Sequence, residues 1–382
     1  MGLVFAAVAV RLVQVQGTTA QRFVALGEEQ LVHDIALPAD RGTLFDRNGK
    51  DLALTISVST VWADPHQVTD PRAEAETLAP VLGMDVPTLQ DRLSKSAGFV
   101  YLARKVTDDV AAKVKEMNLP GVQLMDEPKR FLPSGDLAVP VIGRVGLDNE
   151  GLGGLESEFD KRLAGTPGRL RLERDPRGQD IPGGLRQFEP AARGDDLVLT
   201  LDQSLQYATE QALSAEIVTA HAKGGIAAVM QSDTGEILAL ANLSRDGEGD
   251  SAKVVPAASN TALTNVYEPG SVNKLVTISG ALEEGLIQPT DHLMVPGTIK
   301  VADAVFHENE DHPTQQWSIT DIVANSSNVG TIMIGEKLGK DRIDKYLRAY
   351  GFGQKTDLGF PGESAGLLLP TDKWSGSTLG TV

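Results

Sequence analysis

Apolar and polar positions alternate along the first part of the chain and then change to a helical period. Residues 31–66 show the two-residue alternation of strands, interrupted by "PADRGTLFDRNGKDLA", in which residues 46–49 are a turn signal between apolar runs. Residues 70–118 place apolar residues three and four positions apart, as in "AEAETLAPVLG" and "DDVAAKVKEM", and Pro120 ends the second segment. This pattern predicts paired strands followed by helices.

The remainder of the chain predicts a sheet covered by helices. Residues 121–200 mix short strands with many Gly, Pro and Arg residues, and "FEPAARGDD" has the composition of a linker. "LVLTLDQSLQYATEQALSAEIVTA" then predicts a strand that runs into a helix, and residues 225–242 predict a hairpin around an Asp-Thr-Gly turn. A helix opens at Ser271, and a polar loop and further helices follow. This order favours an α+β fold with a mostly antiparallel sheet, and disfavours a doubly wound parallel sheet.

Length, charge and cysteine content limit the class of protein. A chain of 382 residues is longer than one ordinary domain, so two domains are expected. The formal net charge of −17 disfavours binding to a phosphate backbone, so nucleic acid is not an expected partner. The absence of cysteine from the sequence excludes disulfides, thiolate catalysis and cysteine-based zinc sites.

The first residues, "MGLVFAAVAVRLVQVQG", leave two interpretations open. Their apolar run before Arg11 is about half of the roughly 20 residues that a spanning helix needs. A signal peptide is disfavoured because the charge follows the apolar run, and myristoylation at Gly2 is disfavoured because Ala6 stands where Ser or Thr is required. The segment is therefore either a buried amphipathic helix or the end of a membrane anchor.

Ser271 and Lys274 in "YEPGSVNKLV" form the candidate catalytic pair, and no other lysine in the sequence has a serine three positions before it. Pro269 and Gly270 place Ser271 at or near a helix N-terminus, with Lys274 on the next turn of the same face. Burial and the helix dipole both disfavour the charged lysine, so a neutral Lys274 can take the proton of Ser271. Free backbone N–H groups there can stabilise an oxyanion. The alternative is a serine N-cap beside a solvated lysine.

A second candidate pair lies downstream in "IVANSSNVGTIMIGEKLG", where Ser326 and Asn328 stand at a predicted helix start. A hydroxyl and a carboxamide side by side can relay a proton to a leaving amine and bind a substrate amide. The Ser-x-Asn pattern is weak by itself, because residues 271–273 also satisfy it. The Ser-x-Asn pattern becomes informative because it follows the Ser-x-x-Lys pattern.

Two other segments resemble cofactor or metal motifs only superficially. "GLGGLESEFD" begins like a dinucleotide-binding loop, but Glu156 occupies the third glycine position, and a glycine-rich structural turn is the better interpretation. "HENEDH" at residues 307–312 has two histidines five positions apart, which does not fit the zinc arrangement of two histidines one turn apart. We interpret it as a solvated acidic loop, and we expect neither cofactor nor metal.

The order of Ser-x-x-Lys and Ser-x-Asn resembles that of the penicillin-binding proteins and serine β-lactamases. "RGTLFDRNGKDLA" (41–53) is similar to the Arg-Gly-x-Ile-x-Asp-Arg-x-Gly signature of the non-catalytic N-terminal domain of class B penicillin-binding proteins. "GLGGLESEFDKRLAGTPG" is similar to the Gly-x-Glu motif that closes that domain. "LTLDQSLQ" is similar to the start of the transpeptidase domain, and "GFGQKTDLGFPGESAG" (351–366) to the stretch after its Ser-x-Asn helix.

Together these segments cover nearly the whole chain and resemble the septal, cell-division type of peptidoglycan D,D-transpeptidase. The resemblance implies a membrane-anchor remnant at 1–17, a non-catalytic pedestal domain of the dimerisation type at 30–195, and an incomplete penicillin-binding/serine β-lactamase-like transpeptidase domain at 196–382. It also implies a single-pass protein of the bacterial inner membrane whose bulk is periplasmic.

The resemblance assigns a role to each candidate residue. Ser271 becomes the nucleophile and Lys274 its base, while Ser326 and Asn328 become the proton relay and the amide holder. The implied reaction cross-links stem peptides ending in D-Ala-D-Ala through a serine acyl-enzyme. Penicillin and other β-lactams would acylate the same serine. Other membrane proteins of division and cell-wall synthesis are the implied partners.

The sequence departs from the family at its third element, Lys-Thr-Gly. In "QKTDLG" Asp357 occupies the glycine position, and the sequence ends at "KWSGSTLGTV", before the strand that carries this motif is expected. We interpret the chain as a fragment whose sheet keeps only its opening hairpin near 225–242, and we expect residues 1–382 to be inactive alone.

Two alternatives remain. One is a serine hydrolase of the same fold, a β-lactamase or D,D-carboxypeptidase, although a lactamase needs a deacylating base and has no use for a long pedestal. The other is a non-catalytic scaffold that recruits division proteins through residues 31–195.

Overall fold

A computed structural model of the chain describes residues 2, 4, 5, 11, 31–173, 175, 181–247, 249, 252–356 and 358–381. They divide into two compact units, Met1–Ser259 and Asn260–Val382. Most of the predicted anchor remnant at 1–17, and Asp357, lie outside the described residues. Within the described part of the chain, no helix has both the length and the apolar composition needed to cross a membrane.

The first unit alternates short strands and helices. Its elements in chain order are β1 (Val32–Leu37), β2 (Leu44–Phe45), β3 (Asp51–Ala63), a 3-10 helix (Pro65–Gln67), α1 (Pro71–Leu82), α2 (Val86–Leu93), β4 (Val100–Val106), α3 (Asp108–Met117), β5 (Val122–Phe131), α4 (Val139–Ile142), α5 (Gly154–Glu158), α6 (Asp160–Leu163), β6 (Gly168–Glu173), β7 (Arg186–Glu189), β8 (Leu197–Val198), α7 (Gln203–Thr219), β9 (Gly224–Met230), β10 (Ile237–Asp246) and β11 (Lys253–Pro256). Asp70, Asp85 and Asp202 cap α1, α2 and α7 by accepting hydrogen bonds from first-turn N–H groups.

Strand β3 organises a five-stranded sheet of order β4-β3-β2-β8, in which β5 also pairs with β3. β3 and β5 pair antiparallel from Leu54 to Ala63. Helices α1, α2 and α3 cover this sheet, and the core between them consists of Val61, Ala63, Ala75, Leu78, Leu89, Leu93, Leu102 and Val114. Each buried leucine contributes about 1.5–3 kcal/mol by leaving water.

Two smaller sheets complete the first unit. One has the order β1-β6-β7, and the other has the order β11-β10-β9, with α7 packed against β10. All strand pairs in both sheets are antiparallel, whereas β2 and β8 pair in parallel. The α+β fold with mostly antiparallel sheets is therefore confirmed.

The predicted hairpin at 225–242 corresponds to β9 and β10, and Gly235 in its turn has a φ of 78°, which favours glycine. Two details of the prediction were wrong. The helical segment 70–118 contains strand β4 between α2 and α3. The sheet of the hairpin has a third strand, because β11 pairs with β10 through Leu243–Asp246.

A buried cluster of charges joins distant parts of the first unit. Arg41 Nε donates to Glu156 Oε2 at 2.5 Å, and both side chains are only 1% exposed. Arg130 Nε donates to Glu156 Oε1 at 2.7 Å, and Arg41 Nη1 donates to Asp160 Oδ1 at 2.7 Å. The two segments that resemble the pedestal motifs therefore meet through this cluster.

The second unit contains helices and two two-stranded sheets. Its elements are α8 (Thr261–Thr264), a 3-10 helix (Gly270–Asn273), α9 (Lys274–Glu283), β12 (His292–Val295), β13 (Thr298–Val301), β14 (Ala304–His307), β15 (Gln315–Ser318), α10 (Ile319–Ala324), α11 (Asn328–Leu338), α12 (Lys340–Ala349) and 3-10 helices at Thr371–Lys373 and Thr378–Gly380. β12 pairs with β15 and β13 with β14, both antiparallel. Its main core consists of Ile278, Ala281, Ile287, Val295, Ile319, Ile322, Val329 and Ile334.

Candidate active site

Ser271 lies in a short 3-10 helix that leads directly into α9, as the Pro-Gly sequence before it predicts. Gly270 has a φ of 62°, so the residue before the serine occupies the left-handed region, which glycine tolerates best. Val276 and Ile278 are buried and fix α9 to the core, while Ser271 is exposed. The chain therefore presents the serine hydroxyl at the start of an anchored helix.

The ammonium group of Lys274 forms the hydrogen bonds that connect the site residues. Its Nζ donates to the backbone carbonyl oxygen of Ser326 at 2.5 Å, to Ser326 Oγ at 3.2 Å and to Asn328 Oδ1 at 2.6 Å. An ammonium group has three protons, and these three acceptors use them all. The structure thus brings Lys274 into contact with Ser326 and Asn328, which lie more than fifty residues further along the sequence.

The junction between α10 and α11 presents these acceptors. Ser326 has a φ of 51°, a left-handed conformation that costs a non-glycine residue about 1–2 kcal/mol. Ser327 is the N-cap of α11, and its Oγ accepts a hydrogen bond from Gly330 N at 2.8 Å. The strained residue therefore stands just before a capped helix start, where both its carbonyl and its hydroxyl meet Lys274.

Glu308 is a residue of this site that the sequence did not reveal. Its carboxylate accepts hydrogen bonds from Ser327 Oγ at 2.5 Å, Asn328 N at 2.9 Å and Val329 N at 3.1 Å. The carboxamide Nδ2 of Asn328 donates to the carbonyl oxygen of His307 at 2.9 Å. The interpretation of "HENEDH" as a solvated acidic loop was therefore wrong for Glu308, which binds the first turn of α11.

The electrostatics of Lys274 favour a base. Burial lowers the pKa of the Lys274 ammonium below its ordinary value, and the charge of Glu308 acts in the opposite direction. The atoms that contact Nζ directly are a carbonyl, a hydroxyl and a carboxamide, all of them neutral. A lysine in this environment loses its proton more easily than a solvated one.

Ser271 does not share this network in the present conformation. Across the part of the chain that the structure describes, its hydroxyl has no hydrogen bond, and the hydrogen bonds of Lys274 all go to Ser326 and Asn328. Ser271 and Lys274 are held by consecutive helical segments. The roles of nucleophile and base remain predictions.

Comparison with known proteins gives two matches to family models. The model described as the penicillin-binding protein dimerisation domain matches residues 36–199, and the penicillin binding protein transpeptidase domain matches residues 225–382. Together they cover most of the chain.

Two curated proteins and one solved structure are similar to this chain over most of its length. The chain is 34% identical to penicillin-binding protein PbpB of Mycolicibacterium smegmatis, over 100% of this chain and 63% of that protein. It is 31% identical to peptidoglycan D,D-transpeptidase FtsI of Escherichia coli, over 96% of this chain and 63% of that protein. The crystal structure of a peptidoglycan synthetase from Bifidobacterium adolescentis superposes with a TM-score of 0.68 at 31% identity, covering 92% of this chain and 69% of that one.

The chain spans less than two thirds of the length of these two curated relatives. The likenesses nevertheless extend over both units, and the two domain matches follow each other in the same order as the sequence motifs. On this evidence the chain belongs to the class B penicillin-binding proteins, with a dimerisation domain followed by a transpeptidase domain.

Proposed function

We propose that the protein is a peptidoglycan D,D-transpeptidase that cross-links stem peptides through an acyl-enzyme at Ser271, in septal wall synthesis during cell division. The observation that carries this proposal is the contact of Lys274 Nζ with Ser326 and Asn328. The name of the relative FtsI, a peptidoglycan D,D-transpeptidase, supports the reaction class.

In the proposed reaction Lys274, once neutral, takes the proton of the Ser271 hydroxyl. The serine oxygen attacks the carbonyl carbon of the penultimate D-Ala, and the peptide bond to the terminal D-Ala breaks. The leaving amine receives a proton through Ser326, while Asn328 holds the substrate amide. An amine of a second stem peptide then attacks the ester, which forms the cross-link and restores the serine.

The surroundings of Lys274 support its role as base. Arginine could not replace it, since a guanidinium does not release its proton in proteins. The neutral acceptors around Nζ and the burial of the side chain both help Lys274 to lose its proton. The rival hydrolase would use the same acylation step and differs only in transferring the acyl group to water. The scaffold rival would not acylate at all.

Other parts of the proposal concern the whole protein. We place the domain limits at residues 30–195 for the pedestal and 196–382 for the transpeptidase part, with residues 1–17 as the remnant of a single membrane anchor that leaves the bulk of the chain in the periplasm. Division and cell-wall synthesis proteins of the membrane are the proposed partners. Residues 1–382 are proposed to be inactive alone, because they span less than two thirds of the curated relatives and contain no Lys-Thr-Gly sequence.

Labelling of the full-length protein with a fluorescent penicillin tests the proposal. We expect a stable adduct at Ser271, lost in Ser271→Ala without unfolding of the domain. Ser279→Ala, on helix α9 that follows the 3-10 helix of Ser271, should label normally and serves as the matched control. Labelling of the Ser271→Ala variant would refute the nucleophile assignment. Rapid release of the label as penicilloate would favour the β-lactamase alternative.

A further inference from the structure

Loop 308–314, between β14 and β15, carries a carboxylate that takes no part in the proposed reaction steps. Glu308 is partly buried, whereas Glu310 and Asp311 on the same loop are exposed. The inward carboxylate accepts three hydrogen bonds, all from the first turn of α11 and its N-cap residue. Glu308 thus supplies the acceptor that free N–H groups at a helix start require.

We propose that Glu308 is a positioning residue for acylation: it fixes the start of α11 and thereby holds Ser326 and Asn328 against Lys274. This inference rests on the proposed acyl-enzyme chemistry at Ser271. It assigns to Glu308 no contact with substrate.

The geometry supports this role in two ways. Asn328 is fixed by three groups, since its N–H donates to Glu308, its Nδ2 donates to the His307 carbonyl and its Oδ1 accepts from Lys274. Glu308 and His307 are consecutive, so one short piece of chain sets both the backbone and the side chain of Asn328. Ser326, next to the N-cap, has a left-handed backbone that its surroundings must maintain.

Glu308 also acts on Lys274 through space. Its negative charge opposes the lowering of the Lys274 pKa by burial. The other charged or titratable residues on α9, β12, α10, α11 and residues 302–314 are Glu283, His292, Asp303, His307, Glu310, Asp311, His312, Asp321, Glu336 and Lys337. In the described part of the chain, none of these side chains forms a hydrogen bond or ion pair with Lys274 or Glu308.

Removing the charge should therefore have two separable effects. Glu308→Gln loosens the start of α11, so the second-order rate constant for acylation should fall by roughly 10²-fold, as expected for a misplacement of about 1 Å. It also removes a charge that favours the ammonium form, so the acid limb of the pH–rate profile should move to lower pH. Glu308→Asp shortens the side chain but keeps the charge, so its rate should fall while its acid limb stays in place.

The experiment measures fluorescent-penicillin acylation of the full-length protein against pH for the parent, Glu308→Gln, Glu308→Asp and Glu310→Gln. Glu310→Gln removes the same charge from an exposed position of the same loop and should behave like the parent. We expect a lower acylation rate constant in both Glu308 variants. We expect the acid limb of the pH–rate profile to move to lower pH in Glu308→Gln alone.

Several results would overturn the inference. One is a Glu308→Gln variant with parental rate constant and parental pH limb. Another is a Glu308→Gln variant in which a smaller fraction of the protein is labelled but the labelled fraction reacts with the parental rate constant and pH limb. That result would show a role in folding only. If the glutamine variant does not fold, Glu308→Asp decides, because a parental rate in that variant contradicts positioning and a reduced rate supports it. A parent protein that does not label at Ser271 would overturn the proposed function, and this inference with it.

Discussion

Glu156→Gln should destabilise the first unit much more than an ordinary surface substitution does. Glu156 accepts hydrogen bonds from both Arg41 and Arg130, and these two arginine side chains are 1% and 5% exposed. Glutamine has nearly the same shape but no charge. The substitution therefore leaves two buried guanidinium groups with Asp160 as the remaining carboxylate of the cluster, and Asp160 is 39% exposed.

The magnitude follows from the two ion pairs that are lost. At an effective dielectric constant of about 20 and a charge separation of about 4 Å, each pair is worth roughly 4 kcal/mol before solvation is considered. Burying the carboxylate costs part of that energy, and removal of one member of a buried ion pair typically costs about 3–5 kcal/mol net. We expect a loss in this range for Glu156→Gln.

The tryptophans of the chain provide a suitable assay. Trp62 lies on β3 of the first unit, stacked on Phe99 with ring centroids 4.9 Å apart, while Trp317 and Trp374 lie in the second unit. In a background with Trp317→Phe and Trp374→Phe, the emission of Trp62 reports unfolding of the first unit in urea. For a slope of about 2 kcal/mol per molar, the midpoint should fall by about 1.5–2.5 M.

Glu76→Gln is the matched control. Glu76 accepts from Arg72 at 3.1 Å, but the two side chains are 55% and 75% exposed. Exposed pairs one helical turn apart contribute about 0.5 kcal/mol or less, so this variant should unfold near the parental midpoint. If Glu156→Gln destabilised the unit no more than Glu76→Gln does, the view that this cluster depends on its central carboxylate would be refuted.

Three further predictions can be checked with the same methods. In Lys274→Arg the rate of penicillin acylation should fall by orders of magnitude, because arginine cannot act as a base. A near-native rate would show that Lys274 acts through its positive charge and not as a base. Asn328→Asp places a carboxylate beside Lys274 Nζ and should raise the pKa of Lys274. The acid limb of the pH–rate profile for acylation should then move to higher pH, and an unmoved limb would contradict this expectation. Gly42→Ala puts a Cβ 1.8 Å from a backbone carbonyl oxygen and should cost about 1–3 kcal/mol in the Trp62 assay, while an unchanged midpoint would show that the backbone relaxes freely.

The sequence predicts elements whose signals are local. The hairpin of β9 and β10 follows from two apolar runs around an Asp-Thr-Gly turn, and α9 follows from the Pro-Gly pair before an apolar face. Strand β4 was missed because its seven residues lie between two helical segments, and a window of helical period extends across them. β11 was missed because its four residues, KVVP, do not alternate between apolar and polar positions and include a proline.

The site residues were likewise predicted only where the sequence carries a local signal. The Ser-x-x-Lys and Ser-x-Asn segments could be identified because each keeps its residues at fixed spacing, and the structure brings Lys274 to Ser326 and Asn328. Glu308 could not be distinguished from its acidic neighbours, since the placement of the β13–β14 hairpin against α11 selects which carboxylate turns inward. The pairing of Arg41 with Glu156, across 115 positions, likewise follows from tertiary structure and has no local signal.

The buried cluster around Glu156 and the partly buried cluster around Lys274 differ in what contacts their charged groups. In the first unit the carboxylate of Glu156 directly contacts two arginines, whose guanidinium groups do not release their protons in proteins. Around Lys274 the nearby carboxylate of Glu308 is occupied by backbone N–H groups and a serine hydroxyl, and neutral oxygens contact the ammonium. Direct contact with a carboxylate would hold the proton on Lys274, whereas neutral acceptors orient the side chain and leave its pKa to be lowered by burial. An arrangement that orients a lysine without fixing its charge is what a general base requires, whereas a purely structural ion pair gains nothing from it.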